Sequence, residues 1–133
     1  MSFREKSACV SLAAVVLVYG YYGYRLWGAP ATRLGAIELL IGSTILMIII
    51  SVVGHLALAI HQRPEMLDER DVMVDLRSVR NGFHALAAGV WATIFLAVAV
   101  RNPIFLAYAA LGAFVLAEAV RLISQLVYYR TGA

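Results

Sequence analysis

The chain has 133 residues, of which 62% are hydrophobic and only 14% charged, with a formal net charge of +3. Soluble domains are about 45–50% apolar and about 25% charged, so this composition, with a mean hydropathy of +0.82, excludes an ordinary soluble globular enzyme. A single cysteine, Cys9, excludes an internal disulfide framework, a Cys-x-x-Cys redox centre and a cysteine-based zinc site.

A membrane helix needs about 20 mostly apolar residues, and four stretches of this single-domain chain qualify. The first, about residues 7–27, carries no formal charge from Ser7 to Tyr24 and is flanked by Arg4, Glu5 and Lys6 before and Arg25 after. A secretory signal is the alternative here, because Ala29-Pro30-Ala31 looks like a small-residue cleavage site. The length of the apolar run and its tyrosines favour a span. The second, about 36–60, is interrupted between Leu39 and Ile60 only by His55. The third, 81–100, is closed by Arg101 and Pro103. The fourth, about 104–127, holds Glu118 and Arg121 in its second half.

Lysine and arginine counts set the expected orientation, since cytoplasmic flanks carry the basic excess. With the N-terminus inside, eight basic residues lie on the inner side and three (Arg25, Arg33, Arg101) on the outer side. Both termini are then cytoplasmic. Aromatic residues agree, because amphipathic rings prefer the interfaces: Tyr19, Tyr21, Tyr22, Tyr24 and Trp27 crowd the outer end of span one, and Tyr128 and Tyr129 the inner end of span four. The two hairpins are too dissimilar for a duplication, and no low-complexity segment is present.

Lipid tails are as apolar as leucine, so helices associate in a bilayer through close approach at small residues. Ala85, Gly89, Thr93 and Ala97 recur every fourth residue in span three, and Ala109, Ala113 and Ala117 do so in span four. Joined by a short outer turn, these stripes predict an antiparallel hairpin in close contact. Ser43, Met47, Ser51 and His55 form the most polar face of span two, the serines bonding back to carbonyls or to a neighbour. Arg33 and Glu38 stand at its outer start, where a carboxylate in the first turn complements the helix dipole.

The inner segment, residues 61–80, holds nine charged side chains, four basic and five acidic. That near-balance offers no phosphate-neutralising patch, which excludes a nucleic-acid role. Pro64 breaks the helix leaving span two. Asp68 suits an N-cap, and Glu69 and Asp71 suit a helix N-terminus. Val72, Leu76, Val79 and Phe83 recur at helical spacing. The third helix is therefore expected to start near Asp68, below the membrane, and to run into it unbroken. Asp68, Glu69, Arg70, Asp71, Asp75, Arg77 and Arg80 are the candidate partner-docking residues, against the plainer reading of a solvated helix extension.

The run Leu67-Asp68-Glu69-Arg70-Asp71, followed by Arg77, Arg80 and an apolar span, resembles a family of small prokaryotic four-span membrane proteins with no assigned activity. In that family a Pro-Asp-Glu-Arg-Asp type loop leads into the third span. Here Pro64 stands four residues before Asp68, and the likeness covers roughly residues 64–100. It implies the four-span architecture and carries no activity with it.

Ionisable residues within spans are costly, at least ~2.5–3.5 kcal/mol at mid-bilayer, and mark functional candidates. His55, His84, Glu118 and Arg121 fall at similar depth toward the cytoplasmic leaflet and define a candidate polar layer. It suits a proton-linked, anion or headgroup site, against the plainer reading of a Glu118–Arg121 pair and two satisfied histidines. A zinc site from His55, His84 and Glu118, or bis-histidine haem ligation by His55 and His84, is a weaker alternative, and no metal or cofactor is assigned. Catalytic signatures such as Gly-x-Ser-x-Gly, His-Glu-x-x-His or a Walker loop are missing. Small multidrug transporters share the length and span number but use a first-span carboxylate, and no acid lies between Ser7 and Tyr24.

These observations predict an all-α integral membrane four-helix bundle, N-in and C-in, with a cytoplasmic extension of the third helix, in the inner membrane of a bacterium. The expected role is non-catalytic: a subunit or regulator, homo-oligomeric or part of a larger membrane complex, docking a partner through residues 68–80. The alternatives are a small oligomeric transporter or ion pathway, and a metal- or haem-binding subunit.

Overall fold

The computed structural model describes residues 3–27, 32–61 and 68–131. Pro64, Leu67 and the Ala29-Pro30-Ala31 run, on which the helix-break and cleavage-site expectations rest, lie outside the described residues. The described residues are helical, with no strand among them. Four helices result: α1 (Phe3–Leu26), α2 (Arg33–His61), α3 (Glu69–Ala99) and α4 (Pro103–Thr131). Each is long and apolar enough to cross a membrane.

Local chemistry explains the helix ends. The Thr32 hydroxyl accepts the Gly35 N–H at 3.1 Å and starts α2. Val100 is extended, and the Asn102 carboxamide oxygen accepts the Ile104 and Phe105 N–H groups at 3.0 and 3.4 Å. Pro103 occupies the first position of α4, where its missing donor is harmless. Asp68 takes the N-cap position of α3 with an extended backbone, but its side chain makes no capping bond there. This corrects the capping role expected of that carboxylate.

Helix α2 is not regular throughout. Glu38–Gly42 forms a π turn between the α-helical segments Arg33–Ile37 and Ser43–His61. Directly after it, the buried Ser43 hydroxyl donates to the Leu39 carbonyl and the Thr44 hydroxyl to the Leu40 carbonyl. Back-bonding of this kind accompanies a widened turn.

Packing orders the helices α2, α1, α4, α3. Helix α3 packs most extensively on α4, and α1 touches both α4 and α2. Antiparallel pairing of α3 with α4 is tightest at Gly89, where a Cβ atom would lie 2.5 Å from the Ala113 Cβ. Gly54 on α2 similarly receives the Val10 side chain, 2.6 Å from where a Cβ would stand. Such approach is available only to residues without side chains and supplies the dispersion contacts that lipid cannot.

The face that α3 turns inward differs from the apolar stripe of its first turns. Val74 and Ser78 are wholly buried and Gly82 is buried, while Val72, Leu76, Val79 and Phe83 are 44%, 60%, 45% and 65% exposed. The physical reason is close approach: Gly82 lets the Arg121 Cβ and the Ala117 carbonyl of α4 come against the α3 backbone, so the face carrying Ser78 and Gly82 gains the most contact from a protein neighbour. Among the small residues of the two stripes, Ala113 and Ala117 are buried, Ala85, Gly89, Thr93 and Ala109 are half-buried, and Ala97 is exposed.

Candidate functional site

The starts of α1 and α3 and the end of α4 meet at one end of the structure, called here the polar end. Arg4 pairs with Asp71 at 3.5 Å, and Arg130 with Glu5 at 3.7 Å. Arg70 donates to the Tyr129 carbonyl at 3.2 Å. Asn81 on α3 donates to the Ser124 hydroxyl at 3.2 Å and the Tyr128 hydroxyl at 2.9 Å on α4. At the opposite end Arg25 and Glu38 form a 2.6 Å pair between α1 and α2, so Glu38 has a charged partner there.

Of the seven docking candidates, the structure turns some inward and some outward. Arg70 and Asp71 are engaged with α4 and α1 through the bonds just given. Asp75 is half-buried, within electrostatic reach of Arg121. Asp68, Glu69 and Arg80 are exposed, and Arg77 is half-buried. Arg77 and Arg80 make no ion pair among the described residues. Together with Met73, Leu76 and Tyr128 they line an open recess of about 530 Å³.

The polar layer is brought together only in part. Glu118 and Arg121 form a two-point pair: the Arg121 Nε donates to Oε2 at 3.0 Å, and Nη2 donates to Oε1. The parallel fork geometry fixes the guanidinium plane. His55 is half-buried, with Nδ1 2.7 Å from the Ser51 carbonyl oxygen and Nε2 3.4 Å from the Ser11 hydroxyl. A carbonyl only accepts, so Nδ1 carries a proton and donates to Ser51, which fixes the ring's orientation and leaves Nε2 facing Ser11.

His84 does not join this layer. It is exposed on α3, its ring 6.1 Å from that of Phe83. Gly82 sits against the Arg121 Cβ and the Ala117 carbonyl, and two residues further along a helix is about 200° round the axis. The packing that buries Gly82 therefore turns His84 away. His55 and His84 are not paired, and no group of three or more His, Cys, Asp or Glu among the described residues is placed to hold a metal ion. The zinc arrangement considered from the sequence, which needs His55, His84 and Glu118 on one ion, is therefore not brought together among the described residues.

What His55 and Arg121 do share is a polar recess of about 370 Å³ between α1, α2 and α4. Arg4, Ser7, Ser11 and Gln125 also line it. Sequence reasoning passed over these four residues, because a serine every fourth position in α1 and one glutamine in α4 look like ordinary helix-end polarity. The available signal was their alignment: Arg4, Ser7 and Ser11 share one face of α1, and Arg121 and Gln125 one face of α4.

Comparison with protein-family models, curated proteins and solved structures returns no match. Four long apolar helices and the polar chemistry gathered at one end of them characterise the protein.

Proposed function

We propose that the protein is a small non-catalytic subunit of a cell-membrane assembly, with both termini in the cytoplasm, that docks its partner through the outward face of the first turns of α3. One observation carries this reading. The 31 residues of α3 rise about 46 Å at ~1.5 Å each, while a hydrocarbon core is about 30 Å thick. Val72, Leu76 and Val79 lie in the first turns of this long helix and are exposed. Outside the hydrocarbon such a stripe needs a protein cover. Arg77 and Arg80 border it and supply charge for orientation, as rim cations do at protein interfaces.

A photoreactive residue at Leu76 tests the proposal in native membranes. The expected result is a discrete protein adduct, lost when Arg77 and Arg80 are both changed to Glu. A probe at Ile48, on the exposed face of α2, should capture lipid alone. An adduct between two copies of this chain is the homo-oligomeric form of the same reading. Capture of lipid alone at position 76 ends it.

A second reading, an ion or proton pathway, is favoured by the recess where His55 and Arg121 meet. Flux through liposomes that survives His55→Ala together with Glu118→Gln would remove it.

A further inference from the structure

We propose that the recess at the polar end binds a phosphate-type anion, carried by a lipid headgroup or free in solution. The first argument is the sign of its lining. Two arginines, Arg4 and Arg121, line the cavity, and no acidic residue does. Their counter-charges stand outside the lining: Asp71 holds Arg4, and Glu118 holds Arg121.

The second argument is preorganisation. Arg121 gives Glu118 its Nε–H and one Nη2 N–H. Guanidinium has five N–H donors, so three remain after that clamp, and planar recognition of phosphate is the chemistry this group does best. The clamp also removes much of the side-chain freedom that binding would otherwise have to restrain.

The third argument is uncommitted polarity. The Ser7 and Gln125 side chains line the recess and make no hydrogen bond among the described residues, and the Ser11 hydroxyl is engaged only with His55 through a 3.4 Å contact. Hydroxyl and carboxamide donors on α1 and α4 thus converge with two cations on one space. A polar recess within a helical membrane protein is stable only if something satisfies those groups. Water can do so in part; a tetrahedral anion matches both the charge and the several donors. The inference stands apart from the docking surface, which lies on the outward face of α3.

The test uses the full chain purified in a nonionic detergent. Inorganic phosphate is titrated by calorimetry, and retained phosphatidylglycerol is measured by native mass spectrometry after exchange from mixed micelles. Saturable phosphate binding in lipid-free detergent assigns a free anion; retention of the phospholipid without phosphate binding assigns a headgroup. In either case Arg4→Gln with Arg121→Gln should weaken binding at least about tenfold, the scale of a lost hydrogen bond to a charged group, and Arg80→Gln should leave it unchanged. Gln125→Leu breaks no ion pair and should also weaken binding, so the result does not hang on whether the arginine variant folds. Binding of neither probe, or equal loss in Arg80→Gln, overturns the proposal.

Discussion

At the scale of single residues, two kinds of contact hold α3 to α4, and their magnitudes differ. Side-chain hydrogen bonds between membrane helices are worth on average only about 0.6 kcal/mol, because the separated helices find other partners. Replacing Asn81 by Leu removes donors to Ser124 and Tyr128 and should lower stability by about 1 kcal/mol or less on that scale. Gly89→Val places atoms where Ala113 already stands, and overpacking costs about 1–3 kcal/mol. Unfolding in mixed micelles should therefore show the valine variant as the weaker of the two; the reverse order would mean that polar bonds, not close approach, hold the hairpin. The Glu118–Arg121 pair obeys a different rule. Removing one partner strands a part-buried charge, whereas removing both does not. Glu118→Gln and Arg121→Gln should each destabilise more than the double variant, and simple additivity in the double-mutant cycle would argue that the pair is solvated.

At the scale of helices, the hairpin of α3 and α4 was legible from its small residues, because a spacing of four in a chain of this composition has a direct physical meaning. The break before α4 was legible too, through Arg101 and Pro103, whereas the cap that Asn102 supplies there was not. The π turn Glu38–Gly42 was not. Its trace in the sequence is the Gly42-Ser43-Thr44 run, in which a residue without a side chain precedes two hydroxyls able to bond back to carbonyls. Such a run is equally compatible with a regular helix. Replacing Ser43 and Thr44 together by Ala and Val removes both back-bonds and should return the segment to α-helical register. The Arg25–Glu38 pair would then fall out of reach, since one residue of register is about 100° of rotation. A double-mutant cycle on Arg25 and Glu38 reads this out: the two positions should couple in the parent sequence and not in the straightened one. Equal coupling in both would show that the turn is set by packing.

For the whole molecule, the decisive expectation is topological. The ion pairs Arg4–Asp71 and Glu5–Arg130 gather the starts of α1 and α3 and the end of α4 at one end, and each of the four helices is long enough to cross. In a Cys9→Ser background, single cysteines at Glu69 and Thr131 should react with a membrane-impermeant maleimide from the same side, and one at Trp27 from the opposite side. Reaction of positions 27 and 69 from one side would dismantle the four-span arrangement.

The amino-acid sequence by itself determined that four helices form and that small residues mediate the closest contact, because apolar length and glycine spacing act locally along the chain. It did not determine which side of each helix faces protein. His84 and Val72 fall at positions that periodicity alone offers equally to lipid or to a neighbour, and the tie is broken by where Gly82 meets Arg121. Nor did it bring Ser7, Ser11 and Gln125 into view, since their meaning depends on α1, α2 and α4 arriving at one place. In a bilayer, burial alone does not tell inside from outside, so the faces of these helices were settled only when their surfaces were fitted to one another.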